Sequence, residues 1–351
     1  MWNEAIYIVS LGASTVVGQD AWSSAAAVRA GICGFTLHPY MVDMAGQPLR
    51  IARAPWLDIR LTGIERFKAL LLPAIDQVFA AITEEARGDL RIALSLGLPP
   101  PRIGLARDLQ PLMITAIGDR YPHLAGIASF PNGHAAGLLA LNAAFGKLED
   151  GSYDGCVVAA VDSYIQPYTL EWLEEQDQLH GAGLHNNAWG FIPGEGAGAL
   201  LLARRSVVER LGLDPLARIT GVGIAFEPKR IKTETICIGE GLTKAFRSAL
   251  DRLPNGVKVS DLYCDMNGEP YRADEYGFSC LRAKEYFHSA SNFIAPADSW
   301  GDISAAGAPL HMQLAVIAGI KGYANGTFAM VWASSEAGDR AAAVLELRRL
   351  A

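Results

Sequence analysis

Residues able to do chemistry are few and scattered along this 351-residue chain. His134 follows the turn Pro131-Asn132-Gly133, and Cys264 stands just before Asp265-Met266-Asn267-Gly268-Glu269. A cysteine beside a histidine is the minimum for nucleophilic acyl chemistry, because the imidazole can take the thiol proton. The bland reading is the commoner one. A cysteine at a strand end is usually an inert small hydrophobe, and His134 can satisfy a helix-end carbonyl or line a pocket. The segment from Asn267 to Tyr276 is the densest in polar and aromatic residues, with Glu269 and Arg272 spaced to pair. It reads either as an Asn-Gly turn carrying surface charges or as a rebuilt pocket or partner surface.

His180 and His185, with Asp177 nearby, have a spacing open to metal ligation. Gly181-Ala182-Gly183 between them marks a loop, and no further ligand adjoins, so a solvated or dimer-facing loop is expected. Glu195 lies within Gly194-Glu195-Gly196-Ala197-Gly198. Those glycines permit positive φ and close backbone approach, and a carboxylate among them can accept buried N–H bonds. Such a carboxylate is structural, since one tied down by donors is poorly placed to shuttle protons. No metal and no cofactor is expected.

Positioning these groups requires strands and helices in alternation. Residues 5–11, 91–97, 155–161, 198–202, 217–226, 261–266, 328–333 and 343–347 read as strands. Residues 20–30 read as a helix with Asp20 as N-cap and Gly31 as its stop. Residues 62–82, 240–253 and 305–318 read as further helices. This alternation implies a mostly parallel α/β architecture. Two uncharged stretches, residues 125–146 and 303–320, are long enough to raise the question of membrane spans. The first holds Pro131, Asn132, His134 and Asn142, the second Pro309, His311 and Gln313, and both are rich in Gly and Ala, so buried core helices fit better.

Composition narrows the function. Half of the residues are hydrophobic and 19% are charged, which suits a large core and excludes a disordered chain. A net charge of −7 without a Lys/Arg run removes the footprint that nucleic-acid or anionic-membrane binding needs. The five cysteines are widely spaced and form no CxxC, so reduced thiols in a cytoplasm are expected.

Four separated segments together resemble the elongating β-ketoacyl synthases of the thiolase fold. Residues 8–14, Trp22 and Val28-Arg29-Ala30-Gly31-Ile32-Cys33-Gly34 resemble that family's first strand, first helix and the turn after it. Ala128-Ser129-Phe130-Pro131-Asn132-Gly133-His134-Ala135 resembles the nucleophile turn. Tyr153-Asp154 with residues 157–162 resembles the strand after the nucleophile helix. Residues 190–198 resemble the Gly-rich loop and returning strand, the most specific of the motifs. The resemblance implies an α/β thiolase-like fold in which two pseudo-symmetric halves, residues 1–210 and 211–351, form a five-layer α-β-α-β-α stack.

The family's reaction needs a cysteine thiolate at a helix N-terminus and two histidines that support decarboxylation and hold the developing charge. By the resemblance, Phe130, give or take one residue, stands at the cysteine position. Asn267 and Asp302 stand at the two histidine positions, and Ala297-Asp298-Ser299 at the place of the family's lysine. The resemblance therefore implies a catalytically degenerate protein that acts by binding, as an accessory subunit of an acyl-processing assembly or as an adaptor in a bacterial secretion system. It implies a homodimer, or a heterodimer with a synthase-like partner, pairing through residues 155–161 as the sheet edge. An acyl carrier protein or a protein cargo is the further partner. The alternative is an acyltransferase or thioester hydrolase with a relocated nucleophile.

Overall fold

The computed structural model describes residues 5–183 and 186–348, so His185 lies outside the described residues. In chain order the first part comprises β1 (Ile6–Thr15), α1 (Ala21–Arg29), β2 (Phe35–Val42), β3 (Pro48–Ala52), α2 (Gly63–Phe79), α3 (Glu84–Asp89) and β4 (Ile92–Gly97). It continues with α4 (Leu109–Arg120), β5 (Gly126–Phe130), α5 (Ala136–Glu149), β6 (Gly155–Ser163), α6 (Pro167–Glu175), β7 (Glu195–Arg204) and α7 (Arg205–Leu211). The second part comprises β8 (Ala217–Phe226), α8 (Glu240–Leu250), β9 (Asp261–Cys264), α9 (Pro270–Arg282) and β10 (Phe293–Ile294). It ends with α10 (Ala297–Trp300), α11 (Gly307–Ile320), β11 (Phe328–Ser334) and β12 (Asp339–Leu347). The expected boundary between residues 210 and 211 falls within α7.

Local chemistry explains the element ends. Asp20 caps α1 by accepting from Trp22 N and Ser23 N at 2.8 and 2.9 Å, and Gly31, at φ +69°, follows it in the left-handed region. Pro270 occupies the first turn of α9, where its missing N–H costs nothing. Residues 270–282 are thus helical, so of the segment 267–276 only Asn267, Gly268 and Glu269 lie outside the helix.

Ten strands join in the order β10-β9-β11-β12-β8-β1-β7-β6-β4-β5. The five from β1 outward and the five from β8 outward repeat one pattern, with matching parallel and antiparallel pairs. They meet along a short seam where Ile6, Tyr7 and Ile8 oppose Ile219, Arg218 and Ala217. The uncharged helices α5 and α11 touch each other and pack on strands of both groups, while α2 covers the outer face of the first group and α8 that of the second. This is the α-β-α-β-α stack of a thiolase-like fold. Every residue of α11 from Gly307 to Gly319 is buried, and among the described residues no helix is long and apolar enough to cross a membrane.

Small residues make the middle layer possible. A Cβ on Gly137 of α5 would lie 2.7 Å from Pro309 Cδ and 3.0 Å from Ala308 Cβ of α11. Gly198 of β7 meets Leu310 equally closely. Of the glycines around Glu195, Gly194 lies against the Trp300 and Asp302 carbonyls as closely, and none of Gly194, Gly196 and Gly198 uses the positive φ that a glycine permits. A second correction concerns the sheet edge. Residues 155–161 belong to β6, which lies between β4 and β7 and is buried throughout; the edge strand of the first group is β5.

Glu195 ties these parts together. Its carboxylate accepts from Arg66 Nε and Nη2, both at 2.6 Å, from Ala54 N at 2.7 Å and from the Ser163 hydroxyl at 2.7 Å. Both ionic side chains are fully buried. Removing one partner of such a pair strands the other charge in a medium that cannot solvate it. Glu195→Ala should therefore cost about 3–5 kcal/mol in denaturant unfolding. A cost below about 1 kcal/mol, the size of an ordinary exposed pair, would contradict this role.

Candidate functional site

The leading ends of α5 and α11 converge. Each is preceded by a 3₁₀ turn, Gly133–Ala135 and Ser304–Ala306, and the two turns touch. A glycine at positive φ introduces each one, Gly133 at +66° and Gly301 at +71°. His134 in the first turn therefore faces Asp302 just ahead of the second, and its Nε2 lies 3.0 Å from both carboxylate oxygens. Asn267 Nδ2 donates to Asp302 Oδ2 at 2.6 Å, and Ser304 N donates to Oδ1 at 2.7 Å. Ser304 is a non-glycine at φ +39°, a strained backbone held where it serves the carboxylate.

Arg272 closes the group from α9. Its Nη2 lies 3.4 Å from His134 Nδ1 and 3.2 Å from Nε2, and its Nη1 donates to Asp265 Oδ2 and Ser334 O, each at 3.0 Å. Glu269 pairs with Arg272 Nε at 3.4 Å and accepts from Asn267 at 2.9 Å and the Tyr271 hydroxyl at 2.6 Å. Lys232 Nζ lies 3.0 Å from the other Glu269 oxygen. All but Lys232, Asn267 and Tyr271 are buried residues.

Burial by itself would raise the Asp302 carboxyl, yet His134, Arg272 and Asn267 outweigh it and hold it well below the usual carboxylate range. Glu269 behaves alike: desolvation raises it, and the charges of Arg272 and Lys232 pull it below its ordinary value. His311, buried on α11 and stacked on Trp300 with ring centroids 6.2 Å apart, is pushed down to about 3 by desolvation. It is neutral at physiological pH.

The void enclosed by His134, Cys264, Asn267, Asp302 and His311 measures about 10 Å³, too little for a substrate group. A cavity of about 390 Å³ opens beside His134, walled by Pro101, Arg102, Tyr164, Trp172 and Ser304. Arg102 is held by Asp162 at 2.6 and 3.1 Å and lies over the Tyr164 ring. Lys232 bridges Gln178 and Glu336 of the same cavity at 2.8 and 2.5 Å.

Among the residues singled out from sequence, Asn267, Asp302, His134, Glu269 and Arg272 come together. Phe130 does not join them. It ends β5, packs beside the middle-layer core and lines neither void, while His134, four residues on, completes the triangle with Asn267 and Asp302. Arg272 and Glu269 form an internal pair, which replaces the surface-charge reading. Cys264 lines the small void, but its Sγ donates to Ile294 O at 3.6 Å, and burial pushes the thiol far above its ordinary range. No hydrogen bond joins it to His134 among the described residues. His180 uses its backbone N–H on Phe191 O at 2.9 Å and joins no cluster of metal-competent side chains among the described residues. Asp265, His311, Arg102, Tyr164 and Lys232 were not legible as site residues, because each reaches the centre only through distant packing.

A carboxyl whose folded-state pKa is depressed stabilises the fold above its unfolded value, and that contribution is lost as pH falls through the folded one. Asp302→Asn should therefore unfold at lower urea than the wild type near neutrality. The gap should narrow on acidification below about pH 4, the unfolded carboxylate range. A gap that stays constant across this titration would contradict the charged network.

Residues 133–207 match the family model described as β-ketoacyl synthase, N-terminal domain. No curated protein matches the sequence. Among solved structures the chain is similar to a chain of the AntDE:AntF complex, a type II PKS acyl-carrier protein with its ketosynthase. That match has a TM-score of 0.81 at 13% identity over 99% of this chain and 100% of that one. It is equally similar to a chain of the ishigamide ketosynthase/chain length factor, with a TM-score of 0.81 at 16% identity over 99% and 100%. The ketosynthase from module 6 of the bacillaene synthase of Bacillus subtilis 168 follows, at 0.76 and 16% over 99% and 73%. Identities this low carry the fold, and the motif match from the start of α5 to α7 carries the sequence link. The chain thus has the thiolase-like fold of the ketosynthases, and residues 133–207 carry its sequence match to the β-ketoacyl synthase family.

Proposed function

We propose that this protein is a non-condensing member of the family that works by binding, as an accessory subunit or adaptor. The observation that supports this is the closed network at the head of the middle helices. Condensation needs a thiolate there, together with groups that hold developing negative charge. Here His134 stands at the head of α5, Asn267 takes up no proton, and Asp302 brings a carboxylate where charge would develop. Each side chain already satisfies another, and only about 10 Å³ remains. The network joins His134 of the first half to Asp302, Asn267 and Arg272 of the second, so residues 1–210 and 211–351 act as one unit.

The cavity of about 390 Å³ is the ligand site in this reading, with an acyl chain or the arm of an acyl carrier protein as occupant. The related structures of a ketosynthase with its acyl-carrier protein and of a ketosynthase/chain length factor support a carrier or a synthase-like subunit as partner. Pairing runs through β5, the half-exposed edge strand, in a homodimer or with that second subunit. Five free thiols suit a reducing cytoplasm.

Purified protein given acyl and malonyl thioesters should form no condensation product, and intact-mass spectrometry should find no acyl adduct. Product formation, or an adduct mapped to Cys264, would overturn the binding role. In light scattering the wild type should be dimeric. Ala128→Glu, a charge on the exposed residue of β5, should shift it toward monomer. A wild-type monomer, or a variant dimer unchanged from wild type, would refute pairing through this edge.

A further inference from the structure

A second cluster lies apart from the His134 centre, where residues 227–239 cross α9. Glu227, Cys237 and Glu275 offer ligand atoms that all lie within 4.8 Å of one another. Both glutamates are fully buried, and Cys237 is half-buried, which leaves an entry path from solvent. Glu275 Oε1 accepts from Arg340 Nε at 2.6 Å, while its Oε2 is buried without any hydrogen-bond partner. An orphaned, desolvated carboxylate oxygen bears the full cost of lost hydration unless something binds it. Arg340 neutralises only one of the two buried carboxylates.

Glu227 accepts one backbone N–H on each oxygen, from Lys229 at 3.1 Å and from Gly241 at 2.7 Å. Those bonds fix its orientation and leave lone pairs free, since a carboxylate has about four acceptor sites. The Cys237 Sγ to Glu275 Oε1 separation is 3.6 Å. Two ligands on one tetrahedral zinc, with a sulfur at about 2.3 Å and an oxygen at about 2.0 Å, stand about 3.5 Å apart.

We propose that Glu227, Cys237 and Glu275 form a binding site for a thiophilic divalent cation of the zinc type, with water completing a fourth position. Binding displaces the Cys237 thiol proton to solvent and leaves a thiolate on the metal. A bound ion would pin residues 227–239 to α9, which also carries Arg272.

The test uses the full chain stripped with chelator. Added Co²⁺ should give a thiolate-to-metal charge-transfer band at one equivalent. Cys237→Ser should abolish that band and weaken Zn²⁺ binding about tenfold or more. Cys33→Ser, at an exposed thiol, should change neither. In unmodified protein, Zn²⁺ should shield Cys237 from alkylation while Cys33 still reacts. Absence of the band, its survival in Cys237→Ser, or alkylation of Cys237 unaffected by Zn²⁺ would overturn the site.

Discussion

The contact between α5 and α11 is the constraint on which the rest of the molecule depends. Two helices can share one layer between two groups of strands only if their backbones approach closely, and Gly137 against Ala308 and Pro309 allows this. A side chain there would push the helices apart and open both sheet interfaces at once. The same contact brings the two leading turns together and thereby sets His134 against Asp302. Packing in the middle layer thus dictates which polar groups meet at its end.

Once those groups are buried, charge balance governs the site. Asp302 has His134, Asn267 and the Ser304 N–H, while Arg272 has Asp265, Glu269 and a carbonyl. A buried ionic group is costly when an opposite charge is not beside it, and groups paired in this way have little free valence left for substrate. The neutral His311 beside this group continues the pattern, since burial strips it of its proton. Glu195 with Arg66, and Asp162 with Arg102, apply the same rule at other junctions of the first half. The cavity next to His134 is the space that this arrangement leaves open, and Lys232 at its rim links it to Glu269.

Much of the fold was legible because its signals are local. Asp20 and Gly31 bracket α1, apolar runs mark β1, β4, β6, β8 and β11, and the Gly/Ala content of residues 303–320 marks a helix that packs closely on all sides. The motif around Glu195 also announced a buried carboxylate, which local donors and glycines suffice to suggest. For residues 267–276 the sequence left a surface turn and a pocket both open, because the burial of Arg272 is decided by packing: beside the nearby Asp265 and Glu269 it meets Ser334 O and His134 from far along the chain.

Sequence by itself determined the alternation of elements, the thiolase-like family resemblance and the absence of a thiol near the nucleophile turn, since each depends on residue type and short spacing. Tertiary structure alone decided that His134 rather than Phe130 faces Asn267 and Asp302. The change from strand to helix between those two residues turns on Gly133 and its φ of +66°. It alone decided that β5 is the edge and β6 the interior strand, because strand order is a property of the whole sheet. It alone also brought Glu227 and Cys237 of one connecting segment together with Glu275 of α9, a proximity that no local pattern encodes.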